Sequence, residues 1–206
     1  MRCDWAERSD VERHYHDTEW GVPLHDDRRL FERLTLHGAQ AGLGLRLVLG
    51  KREHYRRVFH GFDIARVAAM DDAEMAAVAS DRGVIRHRLK LASVRGNARA
   101  SVRIIEESGS LCAYLWSFVD GAPRINTWHH LHQVPMRSEV SDRMSDALRQ
   151  RGFRFAGTAI CYALMQSAGL VNDHLVGCVV SERRLAAGAA QLVDGEAGDL
   201  TVALAP

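Results

Sequence analysis

The sequence predicts an all-α protein, and three observations carry that expectation. Capped amphipathic runs with apolar residues at helical spacing recur along the chain. One later stretch, "GTAICYALMQSAGL", is apolar almost all round, as a central helix is. No run alternates apolar and polar residues between hairpin turns, so strands are not expected.

Taken in order, "DDRRLFERLTLHGAQAG" opens on two aspartates and sets Leu30, Phe31, Leu34 and Ala41 along one face. "FDIARVAAM" and "DDAEMAAVAS" each start from an aspartate in capping position and read as short helices. "RLKLASVRGNARASVRIIEES" is a longer helix with a basic wet side. "SEVSDRMSDALRQRG" runs from a serine cap to a terminal glycine. Residues 1–184 are expected to form one compact unit in which the two ends of the chain meet. Residues 185–206, rich in Ala and Gly and poor in aromatics, read as a loosely attached tail.

With 206 residues, nearly half of them hydrophobic, the chain can bury a real core. It has no apolar run of membrane-spanning length, and "MRCDWAERSD" is not a secretory signal. The four cysteines, Cys3, Cys112, Cys161 and Cys178, are too irregularly spaced for a disulfide framework, so a soluble cytoplasmic protein is expected. Net charge is only +1, yet Arg82, Arg86, Arg88, Lys90, Arg95, Arg99 and Arg103 follow one another with no acidic residue between them. Such a run is either a solvated helix face or a surface for a local anionic partner.

Three constellations carry chemistry. "NDHLVGC" sets His174 and Cys178 on one side of a helical turn, and Cys3 with His16 forms a second pair near the start of the chain. Together they are a chemically complete Cys2His2 set for a closed, structural Zn2+; buried free cysteines and scattered histidines are the plain alternative. "DRGVIRH" is a tight turn between two helical runs. It is either an ordinary αα-hairpin or one that presents backbone N–H groups to a phosphate. "LTLHGAQAGLGL" places one ionisable side chain, His37, in an apolar, glycine-rich segment, and "TWHHLHQ" clusters His129, His130 and His132 without an assigned purpose.

Several stretches together resemble the bacterial 3-methyladenine DNA glycosylase I (Tag) family: "RCDW", "YHDTEWGVP", "LFERLTLHGAQAGL", "KREHYRRVFHGFD", "GVIRHRLKLASVRGNAR", "YLWSFVDG" and "RGFRFAGTAICYALMQSAGLVNDHLVGC". The resemblance runs from Cys3 to about Cys178. It implies a helix-hairpin-helix glycosylase fold, with zinc ligands on Cys3, His16, His174 and Cys178 joining the N- and C-terminal segments. It also implies DNA contacts from the hairpin, for which Gly83, Arg86, Arg88 and Lys90 are the candidates.

The base pocket implied by the resemblance includes Trp5, Tyr15 and Trp20, whose electron-rich faces suit a cationic alkylpurine. Three positions depart from the family pattern. His37 stands for a glutamate, Leu45 for a tryptophan and Glu12 for a tyrosine. His37 and Glu12 are nevertheless the candidate catalytic groups.

The expected activity is monofunctional: base flipping, then hydrolysis of the glycosidic bond of an N-alkylated purine in double-stranded DNA, by a monomer. A histidine in place of glutamate exchanges an acceptor for a donor, which points from 3-methyladenine towards N7-alkylguanine. The alternative is an inactive relative that binds alkylated or distorted DNA.

Overall fold

In the computed structural model, residues 1–181 are described; the proposed tail and residues 182–184 lie outside them. Among the described residues the chain is built from α1 (Asp10–Thr18), α2 (Asp27–Gln40), α3 (Leu45–Val58), α4 (Ile64–Ala68), α5 (Asp72–Ser80), α6 (Arg88–Ser108), α7 (Leu111–Trp116), α8 (Glu139–Gln150) and α9 (Thr158–Ser167). Two parallel two-residue strands, β1 (Arg124–Ile125) and β2 (Val171–Asn172), are the one addition to an all-α reading. At that length a strand leaves no alternating pattern in a sequence.

The expected caps form. The side chains of Asp26, Asp63, Asp71 and Ser138 accept backbone N–H groups at the starts of α2, α4, α5 and α8, the donors that a helix cannot satisfy internally. Asp27 reaches further and takes the free N–H groups of Leu111 and Cys112, so α2 also caps α7. Periodicity alone leaves α1, α3 and α7 unassigned. In α3 the run "KREHYRR" hides the helical face behind charges whose partners include Glu19, Glu32 and the 81–83 turn, far away in the chain.

Helix α2 is the axis of the molecule, buried at every position from Leu30 to Ala39. It packs against α3, α6, α7 and α9, and the main core includes Phe31 and Leu34 of α2, Leu91 and Ile104 of α6, and Leu164 and Met165 of α9. A second, smaller cluster joins the two ends of the described chain through Cys3, Tyr15, Trp20, Leu175, Cys178 and Val180. Backbone bonds tie the same ends, with Val179 donating to Met1.

One close approach fixes a glycine. Gly169 has φ +71°, and a Cβ there would lie 2.5 Å from the Val22 carbonyl carbon and the Pro23 nitrogen. Neighbouring bonds, Gly21 N–H to Gln166 and Leu24 N–H to Ala168, hold the 21–24 segment against the end of α9.

Between α5 and α6 the turn at 81–87 is a braced structure. Asp81 accepts from the Gly83 N–H at 2.6 Å and contacts His54 at 2.6 Å, while Lys51 donates to the carbonyls of Arg82 and Gly83.

Candidate base-binding cavity

Where the two ends of the chain meet lies a cavity of about 320 Å³, within the range of small-ligand sites. Trp5, Tyr15 and Trp20 form one wall, His37, Gln40 and Leu45 another, and Tyr162, Gln166 and Asp173 a third. The segment from Leu131 to Met136 closes the remaining side. Sequence reasoning brought five of its six pocket candidates here: Trp5, Tyr15, Trp20, His37 and Leu45.

Glu12 is the sixth, and its assignment is corrected. It is buried but does not line the cavity. Its carboxylate accepts from Ser9 Oγ at 2.7 Å, while its own N–H donates back to Ser9 Oγ, the cap of α1. A carboxylate employed in closing a helix start is not placed to activate a water in the cavity.

The aromatic wall is braced from behind. Trp5 meets Trp20 edge-on at 5.1 Å, and the Arg33 guanidinium sits 4.9 Å from the centre of the Tyr15 ring. Arg33 belongs to a buried chain of charges. It donates to Glu19 at 2.6 Å, Glu19 accepts from Arg52 at 2.7 Å, Arg52 donates to Glu32 at 2.6 Å, and Arg56 donates to Glu32 at 2.7 Å. Burial raises the Glu19 carboxyl, but the Arg52 hydrogen bond and the charges of Arg33 and Arg52 outweigh it and bring it down to about 2. Glu32 is likewise held low, burial being overcome by Arg52 and Arg56.

His37 is fully enclosed, and burial takes its imidazole down to about 4, so it is neutral near pH 7. Both ring nitrogens already have partners: Nε2 lies 2.9 Å from Ser167 Oγ and Nδ1 lies 3.1 Å from Gln40 Oε1. The picture of a charged or freely donating imidazole reaching a base is therefore corrected. What His37 offers the cavity is control over Gln40.

Asp173, missed at the level of sequence, is 2% exposed and accepts four hydrogen bonds. Oδ1 takes Asn126 Nδ2 at 2.7 Å and Trp128 Nε1 at 2.8 Å; Oδ2 takes the Tyr162 hydroxyl at 2.7 Å and Gln166 Nε2 at 2.8 Å. Its donors come from residues 126–166, which no local pattern announces.

Directly behind the aromatic wall, Cys3, His16, His174 and Cys178 converge, all buried, with their ligand atoms within 4.8 Å of one another. Cys178 Sγ is 3.5 Å from His16 Nε2 and 3.5 Å from His174 Nδ1, and Cys3 Sγ is 3.7 Å from His174 Nδ1. The Cys178 thiol is driven well down, first by the Cys3 thiol and then by the two imidazoles. His16 presents Nε2 to the cluster because Nδ1 is 2.9 Å from Asp17, which Arg2 in turn holds at 2.9 Å. Trp20 packs edge-on against His174 at 4.6 Å, so the cluster and the cavity share a wall.

The hairpin candidates divide. Arg82, Arg86 and Arg88 are exposed around the turn that holds Gly83. Lys90 is corrected as a phosphate contact: its ammonium donates to the carbonyls of Ala39 at 3.0 Å and Ala41 at 2.6 Å, closing the C-terminus of α2. Arg95, Arg99 and Arg103 do the same for carbonyls of Met70, Ala68 and Arg151. A run that reads as one basic face is thus more than half consumed by helix ends.

Comparison with known proteins gives a consistent result. Residues 5–181 match the methyladenine glycosylase family. The chain is 45% identical over 177 residues to DNA-3-methyladenine glycosylase 1 of Escherichia coli, covering 86% of this chain and 95% of that one. It is 44% identical over 177 residues to DNA-3-methyladenine glycosylase of Haemophilus influenzae, covering 86% and 96%. A crystal structure of 3-methyladenine DNA glycosylase I superposes with a TM-score of 0.84 at 46% identity, over 87% of this chain and 98% of that one. The Staphylococcus aureus enzyme, solved for its recognition of 3-methyladenine, gives 0.84 at 30% identity, over 87% and 95%.

Proposed function

The chain belongs to the methyladenine glycosylase family, and on that premise we propose that it is a DNA N-glycosylase excising N-alkylated purines, with both N3-alkyladenine and N7-alkylguanine as substrates. The cavity carries this reading: it has room for a small ligand, one wall is three aromatic rings, and Tyr15, Trp20 and His37 are buried. An N-alkylated purine is cationic, so aromatic faces attract it more than a normal base. Its positive charge also makes it a good leaving group. Water attacks C1′ as the C1′–N bond breaks, the bond's electrons neutralise the departing base, the water's proton passes to solvent, and an abasic site remains. The protein has most to gain by holding the extruded base and the developing sugar cation.

The breadth of substrate follows from hydrogen-bond bookkeeping at His37. In one state, with the Gln40 amide flipped from the orientation in which Oε1 faces Nδ1, Ser167 donates to the Leu164 carbonyl, His37 Nε2–H donates to Ser167 and Nδ1 accepts from the Gln40 NH2. Gln40 then turns its oxygen to the cavity, an acceptor for the amino group of adenine. In the other state Ser167 donates to Nε2, Nδ1–H donates to Gln40 Oε1, and the Gln40 NH2 faces the cavity as a donor for guanine O6. The Leu164 carbonyl keeps its bond from Ala168 N–H at 2.8 Å throughout, so the exchange strands no polar group.

Exposed Arg82, Arg86 and Arg88 are the phosphate contacts of this reading, at a helix-hairpin-helix formed by α5, the 81–87 turn and α6. The Cys2His2 cluster holds Zn2+. A tetrahedral ion with Zn–S of about 2.3 Å and Zn–N of about 2.05 Å separates sulfur from nitrogen by about 3.6 Å, and three of the four sulfur–nitrogen separations lie at 3.5–3.7 Å. Four protein ligands complete its shell, so the ion supplies a staple and not a reaction centre.

Incubating the protein with duplexes carrying either lesion, then separating released bases by chromatography, tests the reading. Both bases are expected. Release of 3-methyladenine alone overturns the two-state Gln40. No release even at excess protein, with lesion binding intact, overturns the enzyme and leaves the lesion-binding alternative. Gln40→Glu, an acceptor only, is expected to cut guanine release relative to adenine release by about tenfold to a hundredfold.

A further inference from the structure

Asp173 is the only acidic side chain lining the cavity among the described residues. Its four partners, Asn126, Trp128, Tyr162 and Gln166, are all neutral donors, and no Lys, Arg or His forms an ion pair with it. Of the other carboxylates near the cavity, Glu19 and Glu32, with Glu53 at the surface, face Arg33, Arg52 and Arg56, and buried Glu12 is turned to Ser9, outside the lining. His37 brings no charge. Among the described residues the cavity lining therefore has one acidic group without a cationic partner, enclosed where water screens it little.

Resting on the glycosylase reading, we propose that Asp173 is the residue by which the cavity selects a cationic base over an uncharged one of the same shape. It acts through charge and not through a direct hydrogen bond. A carboxylate has four lone-pair sites, and all four are occupied by the donors named above. Those donors fix the carboxylate in the wall, so its field is present before a base arrives. The attraction weakens as the glycosidic bond breaks, because the departing base becomes neutral. Asp173 therefore favours capture of the lesion, and the discrimination it confers is seen in binding.

The site allows charge to be removed with little other change. In Asp173→Asn the side-chain oxygen still accepts from Asn126 and Trp128. The new amide donates to the Tyr162 hydroxyl, which can rotate, and to Gln166 Oε1 after an amide flip. Asn126→Ala is the structural control: it removes one tie to Asp173 and keeps the charge.

The test is calorimetric binding of two bases, N9-methylated 3-methyladenine, which is cationic, and its N9-methylated 3-deaza isostere, measured at a pH above the titration of its aminopyridine nitrogen so that it is uncharged. The wild-type protein is expected to favour the cation, and Asp173→Asn to weaken cation binding by about tenfold to a hundredfold while the neutral base binds as before. Asn126→Ala is expected to keep the wild-type ratio.

Equal affinity of the wild type for both bases overturns the proposal. So does an equal loss for both in Asp173→Asn, since that is what a merely structural residue produces. Asp173→Ser, which places no amide against the donors, gives the same comparison if the asparagine variant does not fold. Failure of the glycosylase reading is scored separately, as absence of base release from methylated DNA by the wild-type protein.

Discussion

Removing Glu32 from α2 is the severest single test of how the aromatic wall is held. Its side chain is 5% exposed and collects four contacts from two guanidiniums: Arg52 at 2.6 and 3.4 Å, Arg56 at 2.7 and 3.1 Å. In Glu32→Ala, Arg52 keeps Glu19 but loses its main partner while still buried, and Arg56, more exposed, can turn to water. Breaking a buried pair from one side costs about 3–5 kcal/mol. For a domain of this size each kcal/mol is worth about 2–4 °C, so the melting temperature is expected to fall by about 6–20 °C. Calorimetry or thermal circular dichroism measures it, with Arg56→Ala as a milder companion. A loss below about 1 kcal/mol would refute the reasoning, because it would mean the network is already hydrated.

The same network sets an acid limit. Glu19 and Glu32 have folded-state values below their unfolded ones, so their contribution is fully present above the ordinary glutamate range. It is lost as pH falls through that range towards about 2 for Glu19. Glu32→Ala is expected to flatten part of that slope.

Further outcomes follow from the same geometry. Arg86→Ala with Arg88→Ala is expected to lower the magnitude of the log–log salt slope of DNA binding by about 2. Lys90→Met is expected to leave that slope unchanged and to cost stability, because two carbonyls at the end of α2 lose their closure; a slope lowered by Lys90→Met as well would return Lys90 to the phosphates. Removal of metal by a strong chelator is expected to lower the melting temperature and to weaken base binding together, as Trp20 packs on His174; loss of stability without loss of binding would separate the cluster from the cavity. Gly169→Ala forces both a left-handed φ and a backbone clash, and is expected to destabilise by more than about 1 kcal/mol in denaturant melts; a neutral change would refute the close approach.

Much of this was legible in the chain because it is local. Asp26, Asp63, Asp71 and Ser138 sit beside the N–H groups they cap, and His174 and Cys178 lie four residues apart, on a non-helical turn in place of the helical one that the spacing suggests. Pairing these two with Cys3 and His16 needed only the chemistry of a complete ligand set. What stayed hidden depends on partners far along the chain. Lys90 looks like its basic neighbours until α2 ends within its reach. Glu12 looks like a pocket residue until Ser9 takes it. Asp173 sits inconspicuously in "VNDH" because its donors are 7 to 47 residues away. The wall at 131–136 has no signature, since it is a turn whose value lies only in where it is carried.

The cavity's lining has a consequence for the growing chain. Its residues come from 3–45 and from 131–175, and none from the stretch between. A polypeptide emerging from the ribosome therefore has two walls, the aromatic one and that of His37, Gln40 and Leu45, long before it has the others. Seven helices can assemble while the site still lacks the wall of Tyr162, Gln166 and Asp173 and the closing segment 131–136. Only when the segment around Leu175 has been made does a pocket exist. A fragment stopped short of that point keeps the exposed Arg82, Arg86 and Arg88, yet has no chamber in which to receive a base. Excision is in this sense the last property the molecule acquires, and a stalled or clipped product lacks it by construction.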